Sequence, residues 1–512
     1  MVKYVILIIL CLAGFLDASY LSYEHFMDKI PPCSVGAFSD CGTVLRSQYA
    51  VIGGVPLALI GVVHYSLFFV VAAWTLISKK RTGRYVLVVQ SIAGFCASLY
   101  FVYLQLVVLR AICLYCMVSA ITSTVIFIWV MRSFADERKR LALFVFGWIY
   151  TRIVKPLFFS FDPETVHVFM MRFGERWGSL GVVKVIVRFL FHKRFEALEQ
   201  KIAGINFPLP VGLAAGFDYE ARLTQTLSAW GFGFQSIGSI TNKAYEGNTR
   251  PMLGRLPKSR SLMVNKGFKN DGAEAVVSKL ENYSFGTPVG VSIGRTNSRE
   301  MVTQKESIED IISCFKKFES SSMAHSYYEL NISCPNLHGP VSFYPPDNLE
   351  ELLVAVDALL IQRPVFVKMP IEKSNEEIMQ LLDVIVRHKI NGVIFGNLQK
   401  DRNHPSLDPE EVAKFDKGGF SGKPTYDRSN ELISLTYAHF KDRLVIIGCG
   451  GIFSAEDAYE KIQRGAGLIQ LITGMIYEGP QLVASINFSL VDLLHRDGFN
   501  HISEAVGTKK GV

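Results

Sequence analysis

Cysteine is scarce over most of this chain. Of nine cysteines in 512 residues, only Cys314, Cys334 and Cys449 follow residue 135. Three widely separated cysteines cannot build a disulfide framework, which excludes a disulfide-stapled fold for the larger part of the chain. The length instead suggests about two to four domains with more than one buried core.

Three further patterns are missing. No Gly-x-Gly-x-x-Gly motif follows the first predicted strand, which disfavours a doubly wound dinucleotide-binding sheet. No small-residue cleavage site follows the apolar run from Tyr4 to Ala18 before Tyr20, so we expect a retained membrane helix and not a signal peptide. The basic residues behind the net charge of +7 are dispersed or adjoin apolar runs, which fits anionic lipid headgroups and gives no sign of a nucleic-acid partner.

Long apolar runs fill the first 135 residues. Four of them, at about residues 5–23, 52–77, 85–109 and 111–131, can each cross roughly 30 Å of hydrocarbon. The basic segments 79–84 and 138–140 predict cytoplasmic ends by the positive-inside rule, which leaves residues 24–49 and the turn near Arg110 outside. We therefore predict a four-helix transmembrane bundle over residues 1–135, in a multi-pass protein of the cell inner (plasma) membrane.

Residues 136–205 are rich in aromatic and basic side chains, among them Trp148, Tyr150, Arg152 and Lys155. Apolar helices flanked by cations favour the headgroup region over a full crossing, so we expect membrane-interfacial helices here. An ordinary linker followed by a core helix is the alternative.

From residue 206 to the end, short apolar runs alternate with amphipathic stretches, as in a parallel α/β fold. Eight predicted strands begin near Val211, Phe234, Val289, Tyr328, Val365, Val393, Val445 and Leu468. Eight strand–helix units in this length predict a TIM (β/α)8 barrel over residues 206–512, with the doubly wound sheet as second choice.

Two cysteine pairs mark the first part of the chain. The helix pair, Cys113 and Cys116, forms a Cys-x-x-Cys motif at the start of the fourth apolar run, on the outer side by the charge argument. A helix start and a partner sulfur both favour the thiolate, which suits disulfide exchange, although two buried small residues would give the same spacing. The loop pair, Cys33 and Cys41, lies in the predicted outer loop, where an oxidising environment allows a second redox pair to relay electrons.

Two such pairs on a four-helix bundle, with Ser47 after the loop pair and a Gly-Gly-Val-Pro turn before the second span, resemble the vitamin K epoxide reductase family in its bacterial quinone-reducing branch. The resemblance covers about residues 1–135. It implies that the loop pair accepts electrons from a thioredoxin-like thiol partner outside. The helix pair would then pass them to a quinone near Ser47.

Glycine-rich segments surround the ends of the last predicted strands. In residues 446–452, the glycines let the backbone amides of Gly450 and Gly451 approach a phosphate, and Thr473 could add a hydroxyl. The segment Gly418–Pro424 supplies another such loop, and Lys368 ends the fifth strand with a cation. Together they outline a site for flavin mononucleotide (FMN).

Ordered motifs run from about residue 145 to the end. They include DPETVH at 162–167, VGLAAGFD at 211–218, GNTRP at 247–251, NISCPN at 331–336 and IIGCGGI at 446–452. Their order resembles the dihydroorotate dehydrogenases, and the DPE segment with its upstream helices resembles the membrane-associated, quinone-using class 2. The resemblance implies a path for ubiquinone or menaquinone beside His167 and Arg255. It also implies FMN contacts at Ala215, Gly216, Ser239, Lys368, Ser421, Gly422, Gly450, Gly451 and Thr473.

In this resemblance, the NISCPN segment contains the catalytic base and two of the substrate ligands. Cys334 stands at the position of the catalytic base, flanked by Asn331 and Asn336 as amide ligands for a planar ring. The implied reaction removes a proton from C5 of dihydroorotate and a hydride from C6, giving orotate for pyrimidine biosynthesis. Class 2 members normally carry serine at this position, so Cys334 is a departure.

Further departures concern the substrate. Where the family has a lysine after GFD that touches flavin and substrate carboxylate, this chain has Tyr219. A substrate asparagine falls on Val264, with Asn265 one position away, and the Asn-Thr pair after the sixth strand is Asn397 and Leu398. Losing a charged donor costs roughly 1.5–3 kcal/mol, so a different cyclic amide or unsaturated substrate is the alternative to dihydroorotate.

We therefore predict a bifunctional quinone-linked oxidoreductase. The redox cysteines would form disulfides on the outer face, and a cytoplasmic barrel would oxidise a small-molecule substrate. Both sites would deliver electrons to the membrane quinone pool. The alternative interpretation treats the bundle only as a membrane anchor, or the barrel as a non-catalytic flavin-binding module. We identify no metal-binding pattern in the sequence.

Overall fold

The computed structural model describes residues 1–33 and 40–509. The chain divides into two compact units, Met1–Ala142 and Leu143–Val512. Residues 34–39, which belong to the predicted outer loop, and residues 510–512 lie outside the described residues.

The first unit is helical, as predicted. Its elements, in chain order, are the helices Val2–Phe26 and Cys41–Leu45, the hairpin strands Val51–Ile52 and Val55–Pro56, the helices Leu57–Ser78 and Arg81–Tyr103, the π-helical turn Leu104–Leu109, the helix Leu114–Ser133 and the start of the helix Ala135–Ile149. Apolar side chains on the long helices stay exposed, for example Leu16 at 66% and Val63 at 60%. Exposed apolar faces on helices whose backbone hydrogen bonds are satisfied internally are what a lipid environment requires.

Within the described residues, five helical segments are long and apolar enough to cross a membrane. Four of them, Val2–Phe26, Leu57–Ser78, Arg81–Leu109 and Leu114–Ser133, coincide with the predicted spans. The fifth, Ala135–Phe159, has the lowest hydropathy, 1.4 against 2.0–2.2, and falls where the sequence predicts interfacial helices. Length and composition therefore support a helical membrane unit.

Small residues let the spanning helices approach closely. A side chain at Gly14 would place its Cβ 2.4 Å from the ring of Tyr65 on the neighbouring helix. Around this contact Leu7, Cys11 and Phe68 are fully buried. Close backbone approach at small residues is a common way to pack helices in lipid, where the hydrophobic effect between helices is weak.

The second unit contains a closed barrel of eight parallel strands, which confirms the predicted TIM barrel. The strands are Val211–Leu213, Phe234–Ile240, Val289–Ile293, Tyr327–Asn331, Val365–Met369, Gly392–Phe395, Val445–Cys449 and Leu468–Leu471. They pair in chain order, and the eighth strand pairs with the first. Almost every strand residue is buried, because helices cover the outside of the barrel.

The helices of the second unit fall into two groups. Before the barrel lie the π-helical turn Tyr150–Val154, the helices Lys155–Phe159, Pro163–Gly178 and Gly181–Phe191, and the 3-10 turn Glu196–Leu198. Around and after the strands lie the 3-10 turns Leu227–Trp230 and Lys423–Thr425 and the helices Ala273–Leu280, Gln304–Glu319, Pro346–Asp357, Asn375–Ile385, Pro409–Val412, Tyr426–Phe440, Ala455–Gln463, Thr473–Glu478, Leu482–Arg496 and Ile502–Ala505.

Two small antiparallel sheets complete the second unit. The hairpin Gln200–Ile202 with Ile205–Phe207 precedes the first barrel strand, and Phe207 packs edge-on against Phe234 with ring centroids 5.3 Å apart. A three-stranded sheet joins Leu253–Leu256, Ser261–Val264 and Gly419–Phe420. Its strands come from the segments after the second and sixth barrel strands, so it lies on the carboxyl side of the barrel.

A buried polar network crosses the barrel interior. Glu329 on the fourth strand accepts hydrogen bonds from Gln470 on the eighth, at 2.6 Å, and from Ser236 on the second. Gln470 also donates to Ser236, at 2.9 Å. Burial raises the pKa of the Glu329 carboxyl, which favours the neutral acid at this position.

We predict that Glu329→Leu destabilises the barrel and that Glu329→Gln does so far less. Leucine leaves the Ser236 hydroxyl and the Gln470 amide without the acceptor that Glu329 provides, and each unsatisfied buried group costs about 1–3 kcal/mol of folding free energy. Glutamine keeps an acceptor oxygen and resembles the neutral acid. The measurement is the thermal midpoint of each purified variant. A Glu329→Leu midpoint equal to that of the unmodified protein would show that the network does not stabilise the barrel.

Candidate functional site

A cavity opens at the carboxyl rim of the barrel. It brings together most of the residues that the sequence singles out for this unit: His167, Ala215, Gly216, Tyr219, Ser239, Asn331, Cys334, Asn336, Lys368, Asn397, Ser421, Gly422, Gly450, Gly451 and Thr473. Val264 and Leu398 also line it. Apart from His167, which lies on the helix Pro163–Gly178, these residues lie at the ends of separate barrel strands or in the segments that follow them. They meet because the parallel strands of a closed barrel all end at one rim.

One end of the cavity is shaped for a phosphate. Ser421 and Thr473 place their hydroxyl oxygens 2.8 Å apart, and the backbone of Gly422, Gly450 and Gly451 surrounds them in the same lining. A cluster of glycine amides and hydroxyls is a typical oxyanion cradle.

The close approach of backbone in this cradle requires glycine. Gly422 and Gly450 have φ angles of +79° and +93°, which favour glycine. A Cβ at Gly422 would lie 2.4 Å from the carbonyl oxygen of Arg260, and one at Gly450 would lie 2.5 Å from the Thr425 hydroxyl. The residues present therefore fit the phosphate of a flavin mononucleotide.

The other end of the cavity carries the asparagines. Asn331 donates to the Ser239 hydroxyl at 2.8 Å, and Asn397 donates to the backbone oxygen of Ser333 at 2.8 Å. Asn336 donates to the backbone oxygen of Val264 at 3.0 Å. These bonds hold the NISCPN segment against its neighbours and orient its amide groups at the cavity.

Cys334 lies between these asparagines in the sequence and lines the cavity. Burial raises the pKa of its thiol to about 11, and the positive charges of Lys368, Lys400 and Arg295 oppose that rise. The side chain is a thiol at neutral pH, and its thiolate becomes more populated as the pH rises.

Lys266 is a cavity residue that the sequence did not single out. Its ammonium donates to the Tyr219 hydroxyl at 3.1 Å and forms an ion pair with Glu164 at 3.3 Å. All three side chains are buried. Lys269 pairs with the same carboxylate at 3.6 Å. The missing lysine at Tyr219 was the sequence signal that could have prompted a search for a cation nearby.

Two predicted residues of this unit, Asn265 and Arg255, lie outside this cavity. The side chain of Asn265 lines a neighbouring polar cavity and accepts a hydrogen bond from Asn248 at 3.1 Å, so the shift by one position does not restore a substrate contact there. Arg255 lines a separate apolar cavity, and Ser47 belongs to the first unit.

The apolar cavity lies among the helices before the barrel. Phe158, Met170, Phe173 and Trp177 contribute to its largely apolar lining, and Arg255 donates to the backbone oxygen of Phe161 at 2.7 Å. His167 lines both this cavity and the rim cavity. An apolar path with few polar groups suits a hydrophobic ring compound.

His167 is held as a neutral imidazole. Its ring stacks on Tyr219 with centroids 5.3 Å apart. Burial and the charges of Lys266 and Lys269 lower its pKa well below the usual value. Among the described residues, its Nε2 atom is buried without a hydrogen-bond partner.

The four cysteines that are predicted to be redox-active lie close together in the first unit. Cys33 and Cys41 form a disulfide with Cα atoms 5.8 Å apart, whereas Cys113 and Cys116 are free thiols. The sulfur of Cys113 lies within 4.8 Å of both sulfurs of the disulfide. This distance suits thiol–disulfide exchange between the two pairs.

Two backbone contacts hold the helix pair in place. The amide of Asp40 donates to the carbonyl oxygen of Ile112 at 3.0 Å, which ties the loop to the residue before Cys113. The amide of Cys113 donates to the side-chain oxygen of Gln105 at 2.8 Å. Cys113 is therefore positioned by residues outside the helix Leu114–Ser133.

A cavity between the helices of the first unit adjoins Cys116. Its lining is mostly apolar, and its polar members include Ser47, His64, Tyr65, Gln105 and Ser119. Ser47 donates its hydroxyl to the carbonyl oxygen of Val44 at 2.8 Å. A hydrophobic ring with carbonyl groups fits such a lining.

Comparisons with known proteins match both parts of the chain. The family model of dihydroorotate dehydrogenase matches residues 197–494, and that of the vitamin K epoxide reductase family matches residues 5–131. The two matches do not overlap, and each covers one of the two predicted modules.

Individual relatives cover the larger part. A protein of Gloeobacter violaceus named dihydroorotate dehydrogenase (quinone) is 35% identical over 357 residues, which cover 70% of this chain and 98% of the relative. A protein of the same name from Trichodesmium erythraeum is 34% identical over 377 residues, with the same coverage. The crystal structure of ligand-free dihydroorotate dehydrogenase from Eimeria tenella superposes with a TM-score of 0.61 at 27% identity, covering 69% of this chain and all of that one.

Proposed function

The chain belongs to the dihydroorotate dehydrogenase family, and on that premise we propose that its barrel oxidises dihydroorotate to orotate and passes the electrons to a quinone. The observation that carries the proposal is the rim cavity, where Cys334, the asparagines and the phosphate cradle face one space. Bound FMN would supply the hydride acceptor for this reaction.

The residues of the cavity would have separate roles in the reaction. Cys334 would take the proton from C5 of the substrate, while the C6 hydride leaves on the side of the cofactor. Asn331, Asn336 and Asn397 would hold the amide edges of the ring, because an amide group both donates and accepts hydrogen bonds. Ser421 and Thr473 would hold the cofactor phosphate.

The apolar cavity before the barrel would admit the quinone. His167 connects it to the rim cavity, and its unpartnered Nε2 can exchange a hydrogen bond with a quinone oxygen. Arg255 adds a cation on the wall of the same cavity.

In the first unit, we propose thiol oxidation coupled to quinone reduction. Two thiols of a thioredoxin-like partner would reduce the Cys33–Cys41 disulfide and become a disulfide themselves. The reduced loop pair would then reduce an oxidised Cys113–Cys116 disulfide, formed when the helix pair gives two electrons and two protons to a quinone beside Cys116. Ser47 lies in the wall of that quinone cavity.

The two activities are proposed to face opposite sides of the inner membrane. The basic segments 79–84 and 138–140 resist translocation, which supports a cytoplasmic barrel and redox cysteines on the outer side. Residues 136–205 would then lie at the membrane surface, and Ala135–Phe159 would not cross it.

Two side chains of the rim cavity favour an alternative substrate. Val264 and Leu398 line the rim cavity where the family resemblance expects polar contacts. They make the cavity wall less polar, so a cyclic amide or unsaturated compound other than dihydroorotate is the alternative substrate.

We predict that Cys334→Ala abolishes reduction of the flavin by dihydroorotate while the flavin stays bound, because the thiol lies among the asparagines and not in the phosphate cradle. Loss of the base should lower the rate by about 10²–10⁴-fold. In the unmodified enzyme at saturating dihydroorotate, the rate should rise with pH toward the raised pKa of about 11, because the thiolate is the active base. Stopped-flow absorbance of the flavin measures both effects. Cys334→Ser is the matched variant, with residual activity and a shifted pH profile, and full activity in the alanine variant would remove Cys334 from the mechanism.

We predict that the two sites work independently. In Cys113→Ala/Cys116→Ala protein, thiol-dependent quinone reduction should be lost, while dihydroorotate oxidation with an added soluble quinone should stay within about twofold of the unmodified protein. Both sites donate electrons to quinone, so neither supplies the other. If barrel turnover fell to near zero with its flavin intact, the barrel would depend on the cysteines for electron transfer and the independent-sites proposal would be wrong.

The proposed topology predicts which cysteines a membrane-impermeant thiol reagent reaches. After mild reduction of intact cells, Cys33 and Cys41 should be labelled, and Cys33→Ser/Cys41→Ser protein should lose that label. Peptide mapping by mass spectrometry identifies the modified residues. Labelling of the loop pair only after the membrane is opened would place it in the cytoplasm instead.

A further inference from the structure

Several positively charged side chains line the rim cavity. Lys266, Lys269 and Lys368 line it, and Glu164 pairs with two of them. One carboxylate cannot neutralise two ammonium groups, so the cluster around Glu164 keeps an excess positive charge. A buried excess charge of this kind is stabilised when an anion binds beside it.

The chain segment that carries Lys266 adjoins the substrate end of the cavity. It follows Val264, whose backbone oxygen accepts the hydrogen bond from Asn336 at 3.0 Å. Asn248 reinforces this junction, since its amide donates both to the backbone oxygen of Asn336, at 2.9 Å, and to the side chain of Asn265. The segment that carries Lys266 is thus bonded directly to the NISCPN segment.

The ammonium of Lys266 has donor capacity left for a ligand. An ammonium group has three N–H donors. One is directed to the Tyr219 hydroxyl at 3.1 Å, and a second faces Glu164 at 3.3 Å. Glu164 and Tyr219 therefore fix the position of the charge and leave a third donor for the cavity.

We propose that Lys266 binds the carboxylate of the substrate and thereby makes the barrel selective for an acidic ring compound. Dihydroorotate has one carboxylate, so this assignment rests on the proposed function and names the residue that recognises its charge. Tyr219 and Glu164 are positioning residues that hold the ammonium. The assignment also accounts for the apolar Val264 and Leu398, because a single buried ion pair can outweigh two neutral hydrogen bonds.

The test compares charged and neutral ligands in the full-length enzyme. In Lys266→Met protein, KM for dihydroorotate and Kd for orotate should rise about ten- to a hundredfold, the effect of removing one charge-assisted bond. Binding of the methyl ester of orotate, which lacks the charge, should change less than about threefold. Orotate binding is read from the absorption spectrum of the oxidised flavin, which needs no turnover and also reports the flavin content.

Two further variants separate a direct contact from a general charge effect. A lysine at position 219 could place its ammonium close to the present one, because Lys266 Nζ lies 3.1 Å from the Tyr219 oxygen. Tyr219→Lys/Lys266→Met protein should therefore recover orotate affinity to within about fivefold. Lys269→Met removes the other partner of Glu164 and should weaken orotate binding less than Lys266→Met does.

The affinity of the unmodified enzyme for orotate should also depend on pH. Burial lowers the pKa of Lys266 to about 8, against the opposing charges of Glu164 and Glu220, while Lys269 lowers it further. The other polar neighbours are Tyr219, whose pKa is raised by burial, and the neutral His167. The ammonium is present below pH 8 and lost above it, so Kd should rise above that pH in the unmodified enzyme and stay level in Lys266→Met protein.

The outcomes are separable. Unchanged orotate affinity in Lys266→Met protein, an equal loss for the methyl ester, or an equal loss in Lys269→Met protein would each overturn the assignment of Lys266. Loss of the flavin itself from Lys266→Met protein would also overturn it and give the residue a cofactor role. An unmodified enzyme that neither binds orotate nor oxidises dihydroorotate would overturn the proposed function first, independently of the variants.

Discussion

The carboxyl rim of the barrel is the constraint on which the larger unit depends. Eight parallel strands hydrogen-bonded into a closed ring must all end on the same side, so the segments that follow them meet around one opening. Residues as distant in sequence as Ser239 and Thr473 share a cavity for this reason. The buried bonds between Glu329, Ser236 and Gln470 lie inside the same ring and link three of its strands.

Ionised side chains inside that rim need partners of opposite charge, because burial removes them from water. Burial raises the pKa of Cys334 and lowers those of Lys266 and His167, and in each case it favours the uncharged form. Glu164 offsets part of this effect by pairing with Lys266. The cavity therefore combines a weakly acidic thiol with a cation that a bound anion would stabilise, which suits proton abstraction from an acidic ring compound.

In the first unit, a disulfide bond helps to bring residues from separate segments together, as strand pairing does in the barrel. The Cys33–Cys41 disulfide and the hydrogen bond from Asp40 to Ile112 hold Cys33 and Cys41 next to Cys113. Few long-range polar contacts are available between apolar helices in lipid, so these local bonds set the distance between the two sulfur pairs. A thiol beside a disulfide and a cavity beside Cys116 would supply the parts of the proposed electron path from thiols to a quinone.

The sequence by itself determined both fold classes and most of the rim. Apolar runs long enough for a bilayer and eight regularly spaced strands are local patterns, and six of the eight predicted strand starts match the structure to the residue. The glycine loops, Cys334 and the asparagines were identifiable because their motifs are contiguous. Only the tertiary structure shows that Lys266 lies beside Tyr219 and that Asn265 lines a neighbouring cavity. It also shows that Cys113 lies next to the disulfide of the loop pair. These are contacts between segments distant in the chain or shifts of side-chain direction by one residue, and neither leaves a periodic trace in the sequence.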